Sequence, residues 1–315
     1  MRRGENILPS KTMKGVARCY GAGTIVNAIG TGKGAAFGIG LSTTATVELN
    51  DSGEIKAKVP DDPKLAETCV KMVLDRFRLG HGAEISTESN IPVAKGLKSS
   101  SVAANAIIMA ALSAVAKKHG SVKGVKIGGQ TVKQHMEIRG SVVDEKMTLD
   151  MAISAAREAN VTITGALDDA AASFYGGCVV TDNTEGRIIK KTQMENEGVV
   201  VFVPKSVSYT KDVDVEITKR FGKEIEVIWG LAQQGHIHRA MLLNGLIYGC
   251  AFGYPTEPVR LAMKAGASAC GLSGTGPAVI ALVRGPTKPI EDAWSVLEGK
   301  LLVTKTNNEK AKVLG

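Results

Sequence analysis

The sequence predicts an α+β protein built as two domains, and three observations carry the prediction. Stretches of β-branched alternation and stretches of helical spacing follow one another without the strict strand–helix alternation of a parallel sheet. At 315 residues the chain holds about two domains' worth of core. A glycine at position 165 breaks it near the middle, after a long helical stretch. We place the boundary there, with an N-terminal domain over residues 1–165 and a C-terminal domain over 166–315.

The elements follow in order. Residues 15–49 are punctuated by glycine, and Thr43 to Leu49 alternates with β-branched residues, which reads as a strand. Asn50-Asp51-Ser52-Gly53 has turn chemistry, so Glu54 to Val59 reads as the return strand. A helix opens at Asp61, with Pro63 near its first turn, and runs to about Arg78, where Gly80 and Gly82 close it. Ala83 to Ser89 is another strand. A long alanine-rich helix, Val102 to Lys118, stops at Gly120. A second helical region is expected from Thr131 to Asn160, on the spacing of Leu149 to Glu158. Beyond Gly165, Gly177 to Asp182 and Gly198 to Val203 read as strands, and Lys223 to Gly249 and Glu257 to Ala265 as helices. Ala278 to Val283 is a strand, Ile290 to Leu297 a helix, and Leu301 to Lys305 a last strand. There is no internal repeat or long linker.

Composition narrows the partners. Hydrophobic residues make up 44% and charged residues 22%, which is ordinary for a globular protein, while aromatics are only 4%. So few aromatics argue against base-stacking platforms for nucleic acid. The net charge of +8 has its densest patch at Lys117, Lys118, Lys123 and Lys126, at a helix end and the following loop, with no groove-reading motif beside it. Small anionic substrates, and not nucleic acid, are the expected partners. The five cysteines form no C-x-x-C pair, which speaks against a zinc site or a disulfide framework and fits a reducing cytoplasm. No apolar run follows Met1-Arg2-Arg3, as a signal peptide would require, and Met241 to Phe252 is too short to span a bilayer, so no membrane is expected. Oligomeric state is not legible.

Three stretches carry chemistry. The first is Pro92-Val93-Ala94-Lys95-Gly96-Leu97-Lys98-Ser99-Ser100-Ser101, directly ahead of the alanine-rich helix. The first N–H groups of a helix lack internal partners and its dipole makes that end positive, so a glycine turn with a lysine and three hydroxyls suits a polyphosphate. A plain serine N-cap would need only one of the three serines. The second stretch is Thr164 to Gly177, in which Asp168 and Asp169 precede small residues and Gly176-Gly177. An aspartate against a substrate hydroxyl can take its proton or steer its attack, while either carboxylate could instead cap a helix starting near Ala170. The third is Gly271-Leu272-Ser273-Gly274-Thr275-Gly276-Pro277, where successive glycines can aim N–H groups at an anion or simply form a β-turn. The Walker pattern fails: Gly32-Lys33 is followed by Gly34, and Asn27 stands where the first glycine belongs.

Taken together the three stretches resemble the GHMP kinase superfamily, whose phosphate loop has the form P-x-x-x-G-L-G-S-S-A. The order and spacing match from about residue 15 to 285. Within it, Gly96 to Ser101 reads G-L-K-S-S-S, as in the archaeal-type shikimate kinases; Gly23 to Ile39 and Thr162 to Ala170 are also similar to that family. The resemblance implies a two-domain fold: an N-terminal ATP-binding domain like the second domain of ribosomal protein S5, and a ferredoxin-like C-terminal domain. It implies transfer of the ATP γ-phosphoryl group to the 3-hydroxyl of shikimate, with Mg2+. It implies residues 92–101 on the nucleotide, Lys98 offsetting phosphate charge, and Asp168 as base or hydroxyl orienter, with Asp169 where the family usually has asparagine. Ser100 would bind the metal, with Glu158, ten residues before Asp168, completing that site. Gly274, Thr275 and Gly276 would abut the phosphates or the acceptor. Thr24 holds the slot where mevalonate-type members carry a lysine. An anionic acceptor with three hydroxyls calls for a cation and polar groups, for which Lys33, Asn27, Thr31 and Arg260 are the nominees. The alternatives are another small-molecule kinase of the superfamily, such as homoserine or mevalonate kinase, and a non-catalytic nucleotide- or nucleic-acid-binding protein on the same fold.

Overall fold

The computed structural model describes residues 13–60, 63–93, 96–127, 130–162, 166–205 and 214–314. Two long strands, β1 (Met13–Val26) and β2 (Lys33–Asn50), pair antiparallel along nearly their whole length. The glycines that hid these strands in the sequence are there for contact. A Cβ on Gly15 would overlap the backbone of Ala110, on a helix that lies across the strand. Next come β3 (Ile55–Lys58), α1 (Pro63–Arg76) and β4 (Gly82–Ser89). β3 does not return along β2 as a hairpin. It pairs in parallel with β4, and α1 supplies the crossover that a parallel pair needs.

The helix after the serine loop is α2 (Ser99–His119), buried on nearly every side from Val102 to Ala116. It packs on β1 and β2 and against α1, which explains its alanines: small side chains let it sit close to several neighbours at once. By length and composition α2 could cross a membrane, but it forms the centre of the fold. The helix expected from Thr131 is a hairpin instead, with β5 (Gly120–Ile127), β6 (Gln130–Ile138) and β7 (Ser141–Val143). Arg139 and Gly140, both at positive φ, join β6 to β7 as a two-residue turn of the primed kind. Only the later half of that region is helical, as α3 (Glu145–Glu158), capped by the Asp144 carboxylate accepting from the Met147 N–H.

Then follow α4 (Leu167–Tyr175), β8 (Cys178–Asp182) and β9 (Arg187–Thr192). The division expected at Gly165 is not where the sheets part. β8 pairs with the first half of β2, β9 with β8, and the short final strand β14 (Lys312–Val313) returns to β1. The first sheet thus reads β14-β1-β2-β4-β3, with β8 and β9 on the other end of β2. Residues 163–165 themselves lie outside the described residues.

The second sheet starts at β10 (Gly198–Pro204). Short α5 (Val215–Lys219) leads to α6 (Gly222–Gln234) and α7 (Ile237–Ala251), which the sequence reads as one helix and which Gly235 at positive φ divides. α8 (Glu257–Lys264), β11 (Ala269–Leu272), β12 (Val279–Val283), α9 (Lys288–Trp294) and β13 (Gly299–Lys305) complete it. The order β11-β12-β10-β13, all antiparallel, with helices between β10 and β11 and between β12 and β13, is the ferredoxin-like arrangement. One apolar cluster runs through both sheets, from Ile39 and Val47 to Ile280 and Trp294.

Candidate active site

Four segments meet around the end of β1. The phosphate loop is held from the second sheet: Gly96 has φ +79°, a Cβ there would overlap the Ser273 carbonyl, and Ser273 Oγ donates to Gly96 O at 2.8 Å. No serine caps α2. The cap residue is Lys98, in the left-handed region at φ 64°, and it lends no side-chain acceptor to the first turn. The positive end of α2 is therefore not neutralised by its own cap. Ala94 and Lys95 lie outside the described residues.

Lys98 turns inward. Its ammonium lies 2.8 Å from Asp169 Oδ1, with both side chains about nine-tenths buried. The contact is a buried ion pair. Burial pushes the Asp169 carboxyl up to about 7, and the neighbouring Asp168 pushes the same way against the pull of Lys98. Thr24, in the slot expected for a lysine, instead accepts the Gly274 N–H at 2.8 Å. The Lys98 ammonium lies beside that same Gly274.

Asp168 and Asp169 both occupy the first turn of α4, whose positive end favours carboxylates. Neither carboxylate serves as the cap: the cap is Ala166, at φ 44°, and the helix begins at Leu167 and not near Ala170. Asn105, buried on α2, donates to Ala170 O at 2.8 Å and so ties α4 to the phosphate-loop helix. Asp168 points the other way from Asp169. Its Oδ1 accepts from Asn183 Nδ2 at 2.9 Å, and Asn183 is oriented in turn by Thr181 Oγ1 at 2.7 Å. Opposite stands Gly34 of β2, where a Cβ would lie 2.7 Å from Asp168 Cγ. The two carboxylates thus divide the site, Asp169 toward the phosphate loop and Asp168 toward residues 27–34.

The glycine loop is a brace. The N–H groups of Ser273, Gly274 and Gly276 are spent on Ala278 O, Thr24 Oγ1 and Ser273 O. That leaves no anion-binding row at those three positions, contrary to one of the two sequence readings. Gly274 abuts Lys98 Nζ, and its carbonyl accepts from Asn27 Nδ2 at 2.8 Å. Tyr254 OH donates to Thr275 O at 3.0 Å.

The remaining nominees are placed differently. Asn27 is buried in this network. Thr31 Oγ1 accepts from the Lys33 N–H at 3.2 Å in the turn between β1 and β2. The β-pleat that sends Gly34 toward Asp168 sends Lys33 to the opposite face, where its ammonium lies 3.1 Å from Glu226 and over the Trp229 ring. Arg260 is chelated by Glu257 on the exposed face of α8, and no contact among the described residues ties it to the site. Glu158 is exposed on the last turn of α3. Sequence reasoning missed Asn183, Asn105, Asn244 and Tyr248. Asn244 and Tyr248 carried a signal: two polar residues four apart inside the greasy stretch from Met241 to Phe252 share one face.

Residues 64–177 match the family described as GHMP kinases N terminal domain. The chain is 41% identical over 304 residues to shikimate kinase of Methanothermobacter thermautotrophicus, covering 96% of this chain and 99% of that protein. It is 34% identical over 300 residues to shikimate kinase of Pyrococcus furiosus, covering 93% and 100%. Among solved structures, homoserine kinase from Cytophaga hutchinsonii superposes with a TM-score of 0.69 at 16% identity over 98% of this chain and 99% of that one. Mevalonate kinase of Methanococcus jannaschii does so at 0.69 and 14% identity, over 95% and 99%.

Proposed function

The chain belongs to the archaeal shikimate kinases of the GHMP kinase superfamily, and from that premise we propose that the site between the serine loop and α4 transfers the ATP γ-phosphoryl group to the 3-hydroxyl of shikimate. ATP-dependent phosphorylation of shikimate is the activity that full-length relatives near 40% identity support. The position of the hydroxyl and the roles of the side chains are our reading.

Phosphoryl transfer asks the protein for alignment and charge neutralisation more than for covalent chemistry. Residues 92–101 and the positive end of α2 hold the triphosphate, with Lys98 against the oxygens that gain charge. The shikimate hydroxyl lies at Asp168, on the side of Asn27, Thr31 and Gly34. Its oxygen attacks the γ-phosphorus, the bond to the β-bridging oxygen breaks, and the proton passes to Asp168. The observation that carries this reading is the 2.8 Å contact of Lys98 with Asp169, which joins the phosphate loop to the carboxylate pair. Gly274 backs Lys98 in that position, and Thr275 and Gly276 continue the brace.

Among the described residues no three His, Cys, Asp or Glu side chains gather into a metal cage. A magnesium ion held mainly by phosphates needs only one or two protein oxygens. Ser100, in the first turn of α2, would hold the ion; Asp169 Oδ1 already meets the Lys98 ammonium, and Glu158 is too exposed on α3 to be favoured. When bound, the ion supplies charge neutralisation on the phosphates. Neither nominee for the shikimate carboxylate gains support: Lys33 lies on the face of β2 opposite Asp168, against Glu226, and Arg260 is held by Glu257 on the exposed face of α8. The five cysteines are unpaired, consistent with a reducing cytoplasm.

The test is an acceptor panel with ATP. Turnover of shikimate, with phosphate on its 3-oxygen, is expected. Turnover of homoserine or mevalonate in its place sinks the assignment. Asp168→Asn is expected to lose roughly 10²–10⁴-fold in kcat while ATP still binds, by titration calorimetry. Wild-type turnover in that variant removes Asp168 from the mechanism.

A further inference from the structure

Beyond the residues already placed in the site, α7 holds two polar side chains buried in an apolar helix, Asn244 and Tyr248, both about 2% exposed or less. Both reach across to the loop between β1 and β2. Asn244 Oδ1 accepts the Asn27 N–H at 2.8 Å. Tyr248 OH donates to Asn27 O at 2.9 Å and accepts the Gly30 N–H at 3.2 Å. Both backbone polar groups of Asn27 are therefore claimed by one face of α7. This frees the Asn27 side chain to donate to Gly274 O, the carbonyl of the glycine that abuts Lys98.

We propose that Asn244 and Tyr248 are positioning residues for the acceptor: they fix the backbone of residues 27–30, and through it the wall of the site that faces Asp168. Among the described residues neither side chain hydrogen-bonds residues 92–101 directly, and both bond residues 27–30, so their effect falls first on shikimate. A buried hydroxyl that donates and accepts at once is costly to leave unmatched, and a buried amide oxygen likewise, so the loop has one arrangement in which all these groups are paired. Packing alone does not call for them. A leucine or phenylalanine in either position would fill α7 at lower desolvation cost.

This inference rests on the shikimate kinase reading, and its test keeps the two apart. Wild-type enzyme is first assayed for shikimate turnover, whose absence overturns the parent reading. Given that turnover, Tyr248→Phe keeps the ring and removes only the hydroxyl. The KM for shikimate is expected to rise about tenfold, since the Asn27 carbonyl and the Gly30 N–H both lose their partner, while the KM for ATP moves less than twofold. Asn244→Ala should shift the same constant in the same direction. Because either change could loosen the fold, melting temperature and ADP binding are read alongside. Equal rises in both KM values, or a shikimate KM unchanged in a folded Tyr248→Phe enzyme, overturn the proposal.

Discussion

At the residue scale the site is organised by one lysine. Lys98 sits at φ 64°, a region that costs an ordinary residue about 1–2 kcal/mol and that glycine enters freely. The usual superfamily loop has glycine there. The lysine is kept against that backbone preference because its ammonium meets Asp169, while Thr24 takes a structural bond in place of the lysine found elsewhere. Asp169 in turn has a pH signature. Its folded carboxyl lies near 7, above the roughly 3.9 of an unfolded chain, so between those values the fold holds a proton that the unfolded chain has released. This contribution to stability is full below about pH 4 and is lost as pH rises through about 7. Asp169→Asn cannot titrate. Melting temperatures from pH 4 to 8 should therefore fall more steeply in wild type than in the variant, and a wild-type curve that rises relative to the variant would contradict the assignment.

At the element scale, short-range pattern and close packing compete. Alternation over Thr43 to Leu49 revealed the second half of β2, but β1 and the first half of β2 were hidden by glycines that admit α2 and Asp168. From Thr131 the helical spacing of Leu149 to Glu158 does not mark where the hairpin ends and α3 begins. Gly34 is where such a contact becomes functional. A methyl group there would press on the Asp168 carboxylate at 2.7 Å and turn it from its bond with Asn183. Gly34→Ala is expected to lower kcat by about tenfold or more, since small misplacements at a reacting group are expensive. Its melting temperature should drop by only a few degrees. Steady-state assays beside thermal melts check this, and wild-type kcat in the alanine variant would show that Asp168 is not held there.

At the scale of the whole molecule, the two sheets share one apolar cluster, and the site draws on both: Thr24, Gly34 and Asp168 come with the first sheet, Ser273 and Gly274 with the second. Neither half has the site alone. We expect a single unfolding transition that both ligands raise, each by up to about 2.7 kcal/mol of stability at one hundred times its Kd. Calorimetry showing two transitions, with only one sensitive to ligand, would contradict a shared site. The sheet boundary makes the same point. The sequence suggested a cut at Gly165, yet β8, β9 and β14 cross back to the first sheet, because strand pairing is chosen by long-range fit and leaves no local mark.

The sequence by itself determined the α+β class, and it marked the glycine–lysine–serine stretch of residues 92–101 and the carboxylate pair ahead of Gly176-Gly177. Each of these rests on residue types within a few positions of one another, where helix ends, turns and strand alternation are decided. Only the tertiary structure decided which aspartate faces which partner, that Lys98 meets Asp169 while Thr24 bonds Gly274, that the glycine loop braces the site, and that α7 holds Asn27. Apart from the Asp168–Asn183 bond, which spans 15 positions, those contacts join residues about 70 to 250 positions apart. Their energies depend on burial and on atomic distances that no local pattern encodes.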